Sequence, residues 1–177
     1  MIFLATSDLF KTYYNLEPGR VQTLQAFTML PWSFKIIYGL ISDNFPIFGS
    51  RRKSYLLLMA SVQFTTMIAL GFQPESETSA TWLLFFSNLG IAFSDVIVDS
   101  LMVIQARRHP DRGSEDLNTF SWTFLSLGGL LGSLTAAFLT ENYEPRYCFL
   151  LSSAMSLAII TAAARLRIQL EFDGLEA

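Results

Sequence analysis

Five runs of this chain are long and apolar enough to cross a bilayer, at residues 21–42, 54–72, 80–104, 117–140 and 147–164. A helical span needs about 20 predominantly apolar residues. Polar turns punctuate the runs. Pro18-Gly19 opens the first, residues 73–79 separate the second from the third, and 106–116 and 141–145 flank the fourth. Residues 1–4 form an apolar stub, read as the tail of a span whose beginning is missing. The pattern predicts an all-α, polytopic transmembrane helix bundle as a single domain over residues 1–177. Residues 1–20 form a truncated first helix and outer loop, and residues 165–177 a cytoplasmic tail.

The basic residues sort by side. Arg51, Arg52, Lys53, Arg107, Arg108, Arg112, Arg165 and Arg167 fall on one side of the five spans, whereas Lys11, Arg20 and Arg146 fall on the other. Cytoplasmic loops carry the Lys/Arg excess, so the loops after the first, third and fifth spans are predicted to be cytoplasmic. The loop bearing Glu75 and Glu77 then faces outward. A soluble helical bundle has no reason to sort its charges this way.

Composition agrees with that reading. The chain is 51% hydrophobic and 15% charged, with a mean hydropathy of +0.39; soluble domains carry about 25% charged residues. A net charge of −3 and the lack of an aromatic-interleaved basic patch exclude a nucleic-acid partner. Cys148 is the only cysteine, so it forms no internal disulfide and builds no metal site alone. Neither a signal-peptide core nor an Arg/Ser-rich transit segment is present at the amino terminus, so membrane entry would rely on the internal helices.

Candidate chemistry lies inside the spans. A charge at mid-membrane costs about 2.5–3.5 kcal/mol on insertion scales and is rare without a partner, cavity or substrate. Asp95 and Asp99 are four residues apart and share one helix face, with Asn88 and Ser94 nearby. Counting back from Arg107 at about 1.5 Å per residue places both roughly 10–20 Å deep. Lys35, counted from Asp43, is about 12 Å deep by the same rise. Matched depth and opposite charge lead to the expectation that Lys35 faces the carboxylate pair across a helix–helix gap. Such a group could be a solute or proton site, as in a transporter, or an ion pair that only packs helices.

Three other features bear two readings each. Gly39-Leu-Ile-Ser-Asp43 followed by Arg51-Arg52-Lys53 is either a lock between neighbouring helices, made by salt bridges and helix-end dipoles, or ordinary interfacial charge. Gly128 and Gly132 form a G-x-x-x-G spacing that serves helix packing. His109-Pro110-Asp111 matches the tripeptide of J-domain cochaperones, but here it joins two membrane spans and reads as a loop turn. The Asp95-x-x-x-Asp99 spacing also resembles the Mg²⁺-binding carboxylates of intramembrane prenyltransferases. Those enzymes need a second Asp-rich cluster, which no other span supplies.

The run LPWSFKIIYGLISDNFPIFGSRRK from Leu30 to Lys53 resembles the folate–biopterin transporter family, a branch of the major facilitator superfamily. AFSDVIVDS, from Ala92 to Ser100, is similar to that family's fourth helix. GGLLGS from Gly128 resembles its fifth, and YYNLEP from Tyr13 the segment after its first. The likeness runs from about Thr12 to Arg165. Asn44 stands where the wider superfamily usually has Arg, and residues 45–48 are an extension similar to that of the folate–biopterin branch.

The resemblance implies twelve helices in two halves, with alternating access to a midplane site between them. It makes this chain the amino-terminal half, helices two to six plus a stub of helix one. It implies a non-enzymatic membrane transporter of folate or pterin, with H⁺ as a candidate coupling ion, requiring no cofactor or metal. Lys35, Asp95, Asp99 and Asn88 would serve solute or proton coupling, and Gly39, Asp43, Arg51 and Arg52 gating. Expected partners are membrane lipid, the solute and the missing carboxy-terminal half. A non-transporting truncated product, or a half that works only with a partner chain, is the alternative. The prenyltransferase-like enzyme is the third class.

Overall fold

The computed structural model describes residues 2–47, 52–108 and 113–165, and these residues form helices and connecting turns, with no strand among them. The loop residues 48–51 and 109–112 and the tail 166–177 lie outside the described residues. Arg51, the His109-Pro110-Asp111 turn, Arg112 and Arg167 fall there.

Helix α1 (Ile2–Asp8) widens into a π-helical turn over Leu9–Tyr13, closed by the Tyr14 amide donating to the Leu9 carbonyl at 3.1 Å. Asn15 follows with φ 50°, a left-handed conformation that Asn tolerates better than most residues. Pro18 then starts α2 (Pro18–Met29) from the first helical position, where its missing N–H costs nothing.

The run at 21–42 is not one regular helix. After α2 the chain tightens into a 3₁₀ segment, Leu30–Phe34, and resumes as α3 (Lys35–Asn44). Pro31 is the physical reason, because it removes a helical donor and its ring clashes with the preceding turn. The break is held in place: Pro31 is buried, and its carbonyl accepts the Tyr38 hydroxyl at 2.9 Å. Tyr38 in turn stacks on Phe93, with ring centroids 4.9 Å apart.

The other four runs form the helices α4 (Lys53–Gly71), α5 (Glu77–Arg108), α6 (Gly113–Asn142) and α7 (Arg146–Arg165), each long and apolar enough to cross a membrane. Many of their Ser and Thr hydroxyls donate to carbonyls one turn back, as Ser152 does to Cys148 at 2.8 Å and Thr66 to Val62 at 2.9 Å. Polar side chains in an apolar medium are thereby satisfied within their own helix.

Helix α4 is central and packs along both α5 and α7. The apolar interior divides into two clusters stacked along the bundle. One joins Leu9, Phe10, Val21, Met67, Leu84 and Phe149 at the end predicted to face outward, here the outer end; the other joins Tyr38, Tyr55, Leu56, Phe93, Ile97 and Ala163 at the opposite, inner end. Helix α6 is the least covered and exposes Phe120, Trp122, Phe124, Leu130, Leu134 and Phe138. An apolar face of that extent suits lipid or other membrane helices and would not suit water.

The 32 residues of α5 reach about 48 Å at 1.5 Å per residue, more than the roughly 30 Å hydrocarbon core. Cysteines placed at Ser76 and Gly113, in a Cys148→Ser background, are expected to react with impermeant maleimide from opposite sides. Reaction of both from one side would remove the predicted topology.

Loops at the outer end are tied together. The Tyr14 hydroxyl donates to the Pro74 carbonyl and lies 3.4 Å from that of Ser76. Arg20 pairs with Glu77 at 2.8 Å. Burial, followed by the neighbouring Tyr13 and the Glu77 carboxylate, pushes the Tyr14 phenol from 10.0 up to about 12. A phenol raised on folding favours the protonated fold. Its contribution is complete below pH 10 and is lost as pH rises through about 12. Tyrosinate absorbance should therefore show a late-titrating step that disappears in Tyr14→Phe. An unchanged titration curve would mean that Tyr14 is not buried in this clasp.

Candidate functional site

Lys35 is the first residue of α3, directly after the 3₁₀ break, and the break aims its side chain at α5. Its Nζ lies 2.5 Å from Asp95 Oδ2. The same Nζ sits 4.6 Å from the centroid of the Trp32 ring, within cation–π range. Trp32 Nε1 donates to Asn88 Oδ1 at 3.2 Å, and Asn88 Nδ2 donates to the Leu84 carbonyl at 3.0 Å. A continuous polar chain, Asn88–Trp32–Lys35–Asp95, therefore runs along two turns of α5. Sequence reasoning found Asn88, Lys35 and Asp95 but not Trp32. The available signal was Trp32 three residues before Lys35, on the same helix face.

The Lys35 and Asp95 side chains remain 37% and 42% exposed. In a membrane-crossing bundle, a half-open ion pair faces a polar cavity or another protein segment, because lipid does not tolerate it.

Asp99 does not join the pair. One turn beyond Asp95, it makes no hydrogen bond or ion pair among the described residues, and it lines a cavity of about 330 Å³ between α5 and α6. Met102, Val103, Ser114, Glu115 and Asn118 share that cavity. The expectation that Lys35 faces both carboxylates thus holds in geometry for Asp95, while Asp99 opens toward α6. Ser94, directly before Asp95 in sequence, has a buried hydroxyl without a partner among the described residues.

The inner end holds the second group of predicted residues. Arg52 Nη2 lies 3.4 Å from Asp43 Oδ1, and Arg52 Nε donates to Ser100 Oγ at 3.0 Å, so one guanidinium ties α3 and α5 to the start of α4. Lys53 Nζ donates to the Ala164 carbonyl in the last turn of α7 at 3.2 Å, where a cation also opposes the helix dipole. A Cβ on Gly39 would meet Val96 Cγ1 at 3.7 Å, an ordinary contact, so Gly39 lets α3 approach α5 without demanding a glycine. Arg51 lies outside the described residues.

Among the described residues, the closest helix approaches at glycine lie away from the G-x-x-x-G spacing. Nothing lies within 4 Å of a Cβ built on Gly128 or Gly129, and Gly132 is half-buried. The close approaches are at Gly90, where a Cβ would come 2.9 Å from the Met59 carbonyl oxygen, and at Gly71, 2.6 Å from Leu150 Cδ2. Among the described residues, no group of three or more His, Cys, Asp or Glu is arranged to hold a metal ion.

Residues 1–173 match the model of the BT1 family. The chain belongs to the BT1 family. Among its relatives, the "Probable folate-biopterin transporter 4" of Arabidopsis thaliana is 30% identical over 92% of this chain and 34% of its own length. The "Folate-biopterin transporter" of Synechocystis is 32% identical over 90% of this chain and 32% of its own length. "Folate transporter 1" of Plasmodium falciparum is 30% identical over 87% of this chain and 31% of its own. This BT1 chain therefore spans about a third of the length of the curated relatives it matches. No solved structure matches it. With four helices fit to cross a membrane and relatives named as transporters, this BT1 member is an integral, multi-pass membrane protein.

Proposed function

We propose that this chain is part of a transporter that moves a folate- or pterin-like solute across a membrane by alternating access. The observation that carries the reading is the half-open Lys35–Asp95 pair beside a broken helix. Interrupted helices with charged or polar groups at membrane depth are where transporter folds place their solute and coupling-ion sites. Folates carry carboxylates, which Lys35 can bind in exchange for Asp95. Asn88 and Trp32 fix where that exchange happens. The names of the relatives support the same solute class and argue against the prenyltransferase alternative.

Asp43 and Arg52, with Arg51, act in this reading as a gate. The Asp43–Arg52–Ser100 link holds α3, α4 and α5 at the inner end, and moving between conformations requires it to loosen. The span of about a third of the relatives favours action together with a complementing carboxy-terminal segment.

The test is uptake of labelled folate by transport-deficient cells. They would express this chain alone, or with the carboxy-terminal remainder of the Synechocystis relative. Saturable uptake that disappears in the Lys35→Met/Asp95→Asn pair, at restored folded yield, supports the proposal, and Asp43→Asn should slow turnover with little change in apparent affinity. Absence of uptake in both settings, with the protein present in the membrane, would overturn it.

A further inference from the structure

We propose that Asp99 is the group that takes up and releases a proton during transport, while Asp95 serves as the ion-pair partner of Lys35. The inference rests on the transport reading for its purpose but not for its test. Two carboxylates one turn apart on one helix are chemically alike, yet their surroundings divide them. Asp95 is engaged by Lys35 at 2.5 Å. Asp99 has no such cation and opens into the 330 Å³ cavity beside α6.

The charges around Asp99 can be named element by element. Lys35 on α3 and Asp95 on its own helix are the charged groups close enough to act on it. Glu115 on α6 stands in the same cavity, so among the described residues that wall offers a second acid and no cation. On the α4 side, Arg52 is turned to Ser100 and Asp43. Lys35 thus has two carboxylates within its influence and is paired with one. A lone carboxylate at membrane depth is favoured in its neutral form. Ser114 and Asn118 make the cavity polar enough to admit water. In the step itself, hydronium in the cavity gives its proton to an Asp99 carboxylate oxygen and leaves water. Release runs the same transfer backward, and no electrons move.

The geometry also couples the two acids. If a solute carboxylate draws Lys35 away, or Asp95 is neutralised, Lys35 becomes available to Asp99 and favours loss of its proton. The position of Lys35 therefore sets whether Asp99 holds a proton.

The test is an infrared pH titration of this chain reconstituted in liposomes without solute, so that it reads proton binding independently of uptake. A component of the protonated-carboxyl band, separate in frequency and pH dependence from those of the chain's solvent-exposed acids, should grow on acidification and shift when aspartate carboxyls are ¹³C-labelled. It should be absent in Asp99→Asn, persist in Glu115→Gln, and move to lower pH in Asp95→Asn. Asp99→Glu should keep a titrating band that no longer shifts with aspartate label, which covers the case in which Asp99→Asn does not fold. A band insensitive to aspartate label in the unmutated chain, or one lost in Asp95→Asn and kept in Asp99→Asn, would overturn the assignment. Failure of folate uptake with this titration intact would strike the transport reading alone.

Discussion

Lys35→Met is expected to reduce folded yield severely, and adding Asp95→Asn to restore much of it. Alone, the methionine leaves the Asp95 carboxylate at membrane depth with no counter-charge. Removing one partner of a buried ion pair typically costs about 3–5 kcal/mol, whereas removing both can be near neutral. Both side chains remain about two-fifths exposed, so the loss should fall toward the lower end of that range. Asp99→Asn should not rescue, because Asp99 opens to the cavity beside α6 and makes no ion pair. Folded yield by size-exclusion profile for the single variants and both pairs measures the coupling. Losses that simply add for Lys35 with Asp95 would mean that the two side chains do not meet.

Gly90→Ala is the second large effect, and it comes from a residue with no chemistry. The new methyl would press on the Met59 carbonyl oxygen at 2.9 Å, and a backbone atom cannot rotate away. The helices α4 and α5 must separate, and overpacking of this kind costs about 1–3 kcal/mol. Gly71→Ala meets the flexible end of Leu150 and should cost less. Gly128→Ala meets nothing, so the gain in helix propensity, up to about 1 kcal/mol, is expected to prevail. Unfolding in mixed detergent micelles should therefore give opposite signs for Gly90 and Gly128. Equal losses at both would mean that α6 packs far more closely than α4 and α5 allow here.

That contrast shows where sequence reading succeeds and where it stops. The G-x-x-x-G spacing reveals that one face of α6 is small, but a spacing on one helix carries no information about whether a second helix lies against it. Gly90 has no such spacing, and only the path of α4 makes it indispensable. The carboxylates teach a similar lesson. Residues four apart lie about 40° past a full turn and about 6 Å along the axis. That offset is enough for Asp95 to meet α3 while Asp99 meets the cavity at α6. Depth counting placed Lys35 opposite Asp95 because both distances come from the same helical rise. It could not supply Trp32, whose link to Asn88 spans 56 residues and exists only once the chain folds. The break at Pro31 was not read from the sequence, where residues 21–42 counted as one span, and its use, to start α3 at Lys35, depends on Tyr38 and Phe93 holding it.

The separation of Lys35 from Asp95 also sets a schedule for biosynthesis. The two are 60 residues apart. At about 5–20 residues per second, the ribosome delivers the ammonium roughly 3–12 s before its carboxylate exists. During that interval the segment around Lys35 is interrupted by a proline and carries an unopposed charge. It is the least favourable of the five to enter lipid alone. Its final seating waits for the arrival of α5, which places this early part of the chain among the last to settle.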